Sequence, residues 1–165
     1  MGVNAISIDS VAIQVWDMDK AIKFFSDLLD TSFSPRITQS DPRWMMYESM
    51  DNIGIDLSSP IGESGNTYNQ LKKKGEGLAA VEVRVSDIYE AERRAKKMGL
   101  RIIWGHLNPD GSGGSLYLHP KDCFGVMLAF KQYTPRIHPF LTKAGPGLTF
   151  TGKMASMWET DKAGW

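Results

Sequence analysis

One cysteine, Cys123, is all the chain contains, so no internal disulfide can form and stability must come from a packed core. Charge of either sign is not in excess: 19 lysines and arginines balance 19 aspartates and glutamates. That balance argues against nucleic-acid binding, which draws its affinity from a basic surplus that releases counterions. No apolar run approaches the ~20 residues that span a bilayer, and Met1 to Ile6 lacks a charged leader followed by an apolar stretch. Histidine is scarce, and His106, His119 and His138 lack the i, i+4 spacing of a helical metal pair. With 9 methionines open to oxidation, these absences predict a soluble cytoplasmic protein with neither a membrane nor a nucleic-acid partner.

What the chain does have is an internal repeat. Val11, Ile13, Val15, Asp17 and Ala21 recur at one constant offset as Val81, Val83, Val85, Asp87 and Ala91. Such self-similarity identifies a duplicated unit. In each copy the apolar residues alternate, as in a strand with one buried face, and an aspartate follows where a helix would begin. The residues after it, Met18 to Leu29 and Ile88 to Met98, read as helices, the second closed by Gly99.

The remainder of each copy reads as strands. Asp30 to Pro42 is polar and broken by prolines, and Trp44 to Glu48 and Ile53 to Leu57 form a hairpin turning at Asp51-Asn52. Ser58 to Asn66 is rich in Ser, Gly and Pro and reads as the crossing between copies. In the second copy, Leu100 to Trp104, Leu116 to His119 and Val126 to Phe130 are the strands, with a loop at Asn108 to Gly114 that is mobile by composition. The expected fold is α+β: two tandem βαβββ modules, at about 5–60 and 77–132, forming a cupped, pseudo-symmetric mixed sheet within one domain, 1–133. The extension 134–165 has no clear period but is too apolar for a disordered tail, so packing on its own domain or on a partner subunit is expected.

This duplicated pattern resembles the vicinal oxygen chelate superfamily of glyoxalases, bleomycin-resistance proteins, extradiol dioxygenases and methylmalonyl-CoA epimerases. Lys72-Lys-Lys-Gly-Glu-Gly-Leu78 and Leu118-His-Pro-Lys-Asp-Cys-Phe-Gly-Val126 are most similar to the epimerase branch. The resemblance implies a divalent metal held from four positions, which fall here on Ser10, Asp56, Ala80 and Ala129. One carboxylate and one hydroxyl cannot compete with water for such an ion, so no cofactor is expected. The resemblance also implies a proton-transferring carboxylate near Glu48, a rim lysine at Lys121 and a homodimer.

Strand parity indicates what would line the cup instead, since residues two apart share a face. Ser10 brings Gln14 with it, Ala80 brings Glu82 and Arg84, and Ala129 brings Lys131, with Asp56 from the hairpin. Asp56, Glu82, Arg84 and Glu48 are therefore the candidate catalytic residues. Ser10, Gln14, Trp104, Tyr117, Lys121 and Lys131 are candidate substrate contacts, the two aromatics by stacking. Two carboxylates near a guanidinium suit general acid–base work, with Arg84, Gln14 or backbone N–H groups bearing the developing negative charge. The bland reading is a structural Glu82–Arg84 ion pair. The expected function is metal-independent proton transfer on a small organic substrate, of isomerase, epimerase or lyase type; the alternative is a non-catalytic binder of the bleomycin-resistance type.

Overall fold

The computed structural model describes residues 3–51 and 53–132, which carry eight strands and three α-helices in a mixed α+β fold. The described residues form two compact units, one of residues 3–11 and 80–132, the other of residues 12–79. Strand β1 (Ala5–Gln14) contributes its first part to one and its last part to the other.

In the first unit the strand order is β1-β5-β8-β7-β6, with β5 (Gly77–Val85), β6 (Ile102–Leu107), β7 (Gly114–Leu118) and β8 (Leu128–Gln132). β5 and β8 pair in parallel, whereas β8–β7 and β7–β6 are antiparallel. Helix α3 (Ile88–Lys97) starts at Asp87, whose side chain accepts from the Glu90 N–H at 2.9 Å, as its position before an apolar-periodic run predicts. The helix packs on β6, β7 and β8. Its partners alternate along the strands: Val85, Leu116 and Leu118 are buried in one cluster with Ile88 and Ala95, and Val83, Leu128 and Phe130 pack against it. Full burial of each leucine or isoleucine stabilises this layer by about 1.5–3 kcal/mol. The intervening residues Ala80, Glu82, Arg84, Tyr117, Ala129 and Lys131 consequently face away from α3.

In the second unit the order is β2-β3-β4-β1, with β2 (Ile37–Gln39), β3 (Met46–Met50) and β4 (Ile55–Pro60). Helix α1 (Met18–Leu29) is capped by Asp17, which accepts from the Lys20 N–H at 3.0 Å, and ends at Asp30 in the left-handed region. Val15, Met18 and Leu57 form its core with Ile13, Ile22 and Phe25. Asp51 makes the hairpin turn: its buried Oδ1 accepts from the Ile53 and Ile55 N–H groups at 2.9 and 2.8 Å.

Three local expectations are corrected. Trp44 and Met45 precede the strand, because Met45 has a positive φ and the ladder starts at Met46. The proline-broken segment after α1 contains β2, paired with β3 from Ile37↔Glu48 to Gln39↔Met46. The crossing at Ser58 to Asn66 is also shorter than expected, because β4 runs to Pro60 and an unforeseen helix α2 (Gly65–Lys74) begins at Gly65. Gly65 has φ +86, and a Cβ there would lie 2.6 Å from the Trp44 carbonyl oxygen, so a residue that reads as a breaker is what lets the helix start there. The loop at Asn108 to Gly114 is internally bonded: Asn108 N–H donates to the Gly113 carbonyl at 2.8 Å, and Tyr89 Oη donates to the Asn108 carbonyl at 2.5 Å. The extension 134–165, with its expected packing, lies outside the described residues.

Candidate functional site

The face of the first unit turned away from α3 carries Ala80 and Ala129 beside the polar side chains of Ser10, Glu82, Arg84, Tyr117 and Lys131. Ala80 and Ala129 are buried with 1% and 0% of their surface exposed. In the ladder Ala129 stands opposite Glu82 of β5 on one side and Tyr117 of β7 on the other. Its methyl leaves the space in which their longer side chains meet, and Tyr117 Oη donates to Glu82 Oε1 at 2.7 Å. The other carboxylate oxygen, Oε2, accepts from Ser10 Oγ of β1 and lies 2.5 Å from Lys131 Nζ of β8.

Glu82 is thus a 2%-exposed carboxylate held by a hydroxyl from β1, a phenol from β7 and an ammonium from β8. Burial of a carboxylate costs several kcal/mol unless charge and hydrogen bonds compensate it, and here both do. Tyr117 is half-buried and meets Trp104 of β6 edge to face, their ring centres 5.2 Å apart, so the carboxylate connects through the phenol to an aromatic edge. Arg84, buried, is the register partner of Lys131 and brings a second cation to the same face.

The remaining candidates belong to the second unit. Asp56 and Gln14 are buried there. Glu48 is half-buried and accepts from Gln39 Nε2 at 2.6 Å. Its facing follows from the register: Glu48 pairs with Ser58, and Met50 with Asp56, so Glu48 and Asp56 lie on one face of the β3–β4 hairpin. Lys121 sits in the 3₁₀ turn Pro120–Asp122, exposed, with its N–H bonded to His119 Nδ1 at 3.1 Å.

Parity assigned Ser10, Glu82, Arg84 and Lys131 to one face but did not reveal which side chains would meet. Glu82 meets Lys131 across the parallel β5–β8 ladder, an ion pair that parity alone did not name. Tyr117 enters through its hydroxyl, although its ring was the expected contact. The signal that could have found both was the alanine at 129, since a small residue between two long polar ones on neighbouring strands permits a bridge over it.

A divalent metal fits this donor set poorly. The positions to which the resemblance points include two methyl groups, the nearby carboxylate already carries an ammonium, and among the described residues no three His, Cys, Asp or Glu side chains cluster as ligands.

The same architecture recurs in known proteins. Mitochondrial methylmalonyl-CoA epimerase of Homo sapiens is 27% identical over 132 residues, covering 78% of this chain and 75% of that protein. The crystal structure of methylmalonyl-CoA epimerase from Mycobacterium tuberculosis matches with a TM-score of 0.69 at 25% identity, over 82% of this chain and 92% of that one. The Streptomyces coelicolor epimerase in complex with 2-nitronate-propionyl-CoA shares the fold, with a TM-score of 0.67 at 20% identity over 79% of this chain and 99% of that one. The family model of the Glyoxalase/Bleomycin resistance protein/Dioxygenase superfamily matches residues 9–117, well over half of the sequence, and on that match the chain belongs to this superfamily.

Proposed function

We propose that the protein is a metal-independent epimerase-type enzyme that moves a proton beside the carbonyl of a small acyl thioester, with Glu82 as proton acceptor. The observation that carries this reading is the Glu82 carboxylate, buried in a sheet face yet reaching a half-buried phenol. A purely structural face would be simpler to fill with apolar side chains. Similarity to methylmalonyl-CoA epimerases supports a coenzyme A thioester as the substrate class.

An α-hydrogen next to a thioester carbonyl is acidic enough for a carboxylate to remove when the enolate oxygen is stabilised. The C–H electron pair passes to that oxygen, and the proton to Glu82. Return of a proton to the opposite face inverts the centre, and return at another atom isomerises the substrate. Inversion by two carriers needs a second proton carrier besides Glu82.

The test is α-proton exchange. Chelator-treated protein in D₂O, offered methylmalonyl-CoA and related acyl-CoA thioesters, should introduce deuterium at the α-carbon well above the uncatalysed rate. Tight thioester binding with no exchange would favour the non-catalytic binder, for which the Trp104–Tyr117 edge supplies a stacking surface. Activity that appears only on adding a divalent metal would refute metal independence.

A further inference from the structure

We propose that Lys131 is the electrophile of this site: its ammonium, stored on Glu82 at rest, passes to the oxyanion of the substrate as the proton passes to Glu82. The proposal rests on the proton-transfer reading above and names the group that bears the negative charge.

The geometry is that of a pair held in reserve. Lys131 Nζ lies 2.5 Å from Glu82 Oε2, both residues being at most 9% exposed. In such a site an ammonium acts far more strongly on a neighbouring charge than it would in water. The pair stands on the sheet face that carries Ser10, Ala80 and Ala129, where the resemblance leads one to expect a metal ion and where the donors present do not fit one. A cation is nevertheless there, supplied by β8 itself, two residues beyond Ala129. Arg84, opposite Lys131 in the register, adds positive potential to that face, which favours an anion next to the lysine.

The step balances without any other reactant. In the resting state the site holds a carboxylate and an ammonium. When the α C–H bond breaks, its proton bonds to Glu82, its electron pair moves to the carbonyl oxygen, and an N–H of Lys131 donates a hydrogen bond to that oxygen. Lys131 loses no proton; it exchanges one anionic partner for another. The net charge of the buried site is constant, so the low-polarity surroundings penalise the exchange little. Once protonated, Glu82 no longer competes for the ammonium. Tyr117 Oη, which donates to the same carboxylate, is released by the same event and can turn to the enolate as a second donor. A fixed structural salt bridge would lack this coupling between proton position and ammonium position.

The experiment compares wild type with Lys131→Met. α-Proton exchange should fall roughly 10²–10³-fold, the loss typical of one oxyanion donor. Affinity for the planar anion 2-nitronate-propionyl-CoA, an enolate mimic, should fall at least tenfold more than affinity for the neutral-headed propionyl-CoA. Urea denaturation reports whether the variant is folded. If it is not, Lys131→Gln, which keeps an N–H donor for Glu82 but no charge, is read in the same way. A folded variant that exchanges α-protons at the wild-type rate, or binds the nitronate as tightly as wild type does, overturns the assignment. If wild-type protein exchanges no α-proton in any thioester, the proton-transfer reading fails separately. The nitronate comparison then decides alone whether Lys131 is an anion-holding group.

Discussion

Tyr117 on β7 reaches over Ala129 on β8 to place its hydroxyl 2.7 Å from Oε1 of Glu82 on β5. The bridge depends on the smallness of the residue beneath it. Ala129→Leu should overfill this completely buried position, at a cost of about 1–3 kcal/mol, and part Tyr117 from Glu82. Tyr117→Phe alone should cost about 1–2 kcal/mol, since the bond is to a charged acceptor at a half-buried site. In the double variant the two losses should fall short of additive, because the first substitution already breaks the bond that the second removes. Urea melts of the four proteins measure this, and strict additivity would show that Ala129 is not what permits the bridge.

Glu82→Gln preserves shape while removing the proton acceptor. If Glu82 carries the α-proton, deuterium incorporation should drop about 10²–10⁴-fold with thioester affinity little changed. Undiminished exchange in the carboxamide variant would transfer the role to another carboxylate, Asp56 or Glu48 first.

The Arg101–Asp122 contact gives a pH expectation. The guanidinium of Arg101, and then its backbone N–H, hold the Asp122 carboxyl well below the usual carboxylate range. A depressed folded-state value means that the contribution is fully present above the unfolded-state value, ~3.9, and is lost as pH falls through the folded-state value. Denaturation midpoints should therefore decline below about pH 4, and Asp122→Asn should decline less over that window while starting lower at neutral pH. Parallel acid profiles for the two proteins would exclude the contribution.

Phe124 follows the 3₁₀ turn with φ 55 and its side chain fully exposed. A left-handed backbone costs a residue bearing a Cβ about 1–2 kcal/mol, and this ring recovers little by burial. Phe124→Gly should raise the unfolding free energy by up to about 1 kcal/mol, the gain reduced by glycine's greater freedom in the unfolded chain. A calorimetric midpoint below that of wild type would mean that the ring has a stabilising contact in solution.

Legibility in the sequence followed the strength of local signals. Helices α1 and α3 were readable because Asp17 and Asp87 precede runs that bury Met18 in one case and Ile88, Ala91 and Ala95 in the other. Helix α2 was not: only Thr67 and Leu71 of its ten residues are buried, and its approach through Pro60, Gly62 and Gly65 has the composition of a loop. What starts it is the tertiary contact of Gly65 with the Trp44 backbone, together with the Asn66 N–H bond to the Arg43 carbonyl, neither of which any window of sequence displays. At the candidate site, period-2 alternation identifies which residues share a face. Which of them meet depends on the register between strands far apart in the chain, and so the Glu82–Lys131 pair lay beyond local reasoning.

That separation has a kinetic consequence. Ser10 and Glu82 are 72 residues apart and Glu82 and Tyr117 a further 35, while Lys131 joins last, through a parallel ladder that α3, β6 and β7 must bridge before it can close. Contacts of such range form slowly, because the entropy of closing long loops must be met before the contacts reward it. During synthesis or refolding, Glu82 must wait for the Lys131 ammonium until the final described strand arrives, so a chain stalled before β8 holds this buried carboxylate without that ion pair on a half-made sheet. The exposed edge of β5 in such an intermediate is the place where misassembly would begin.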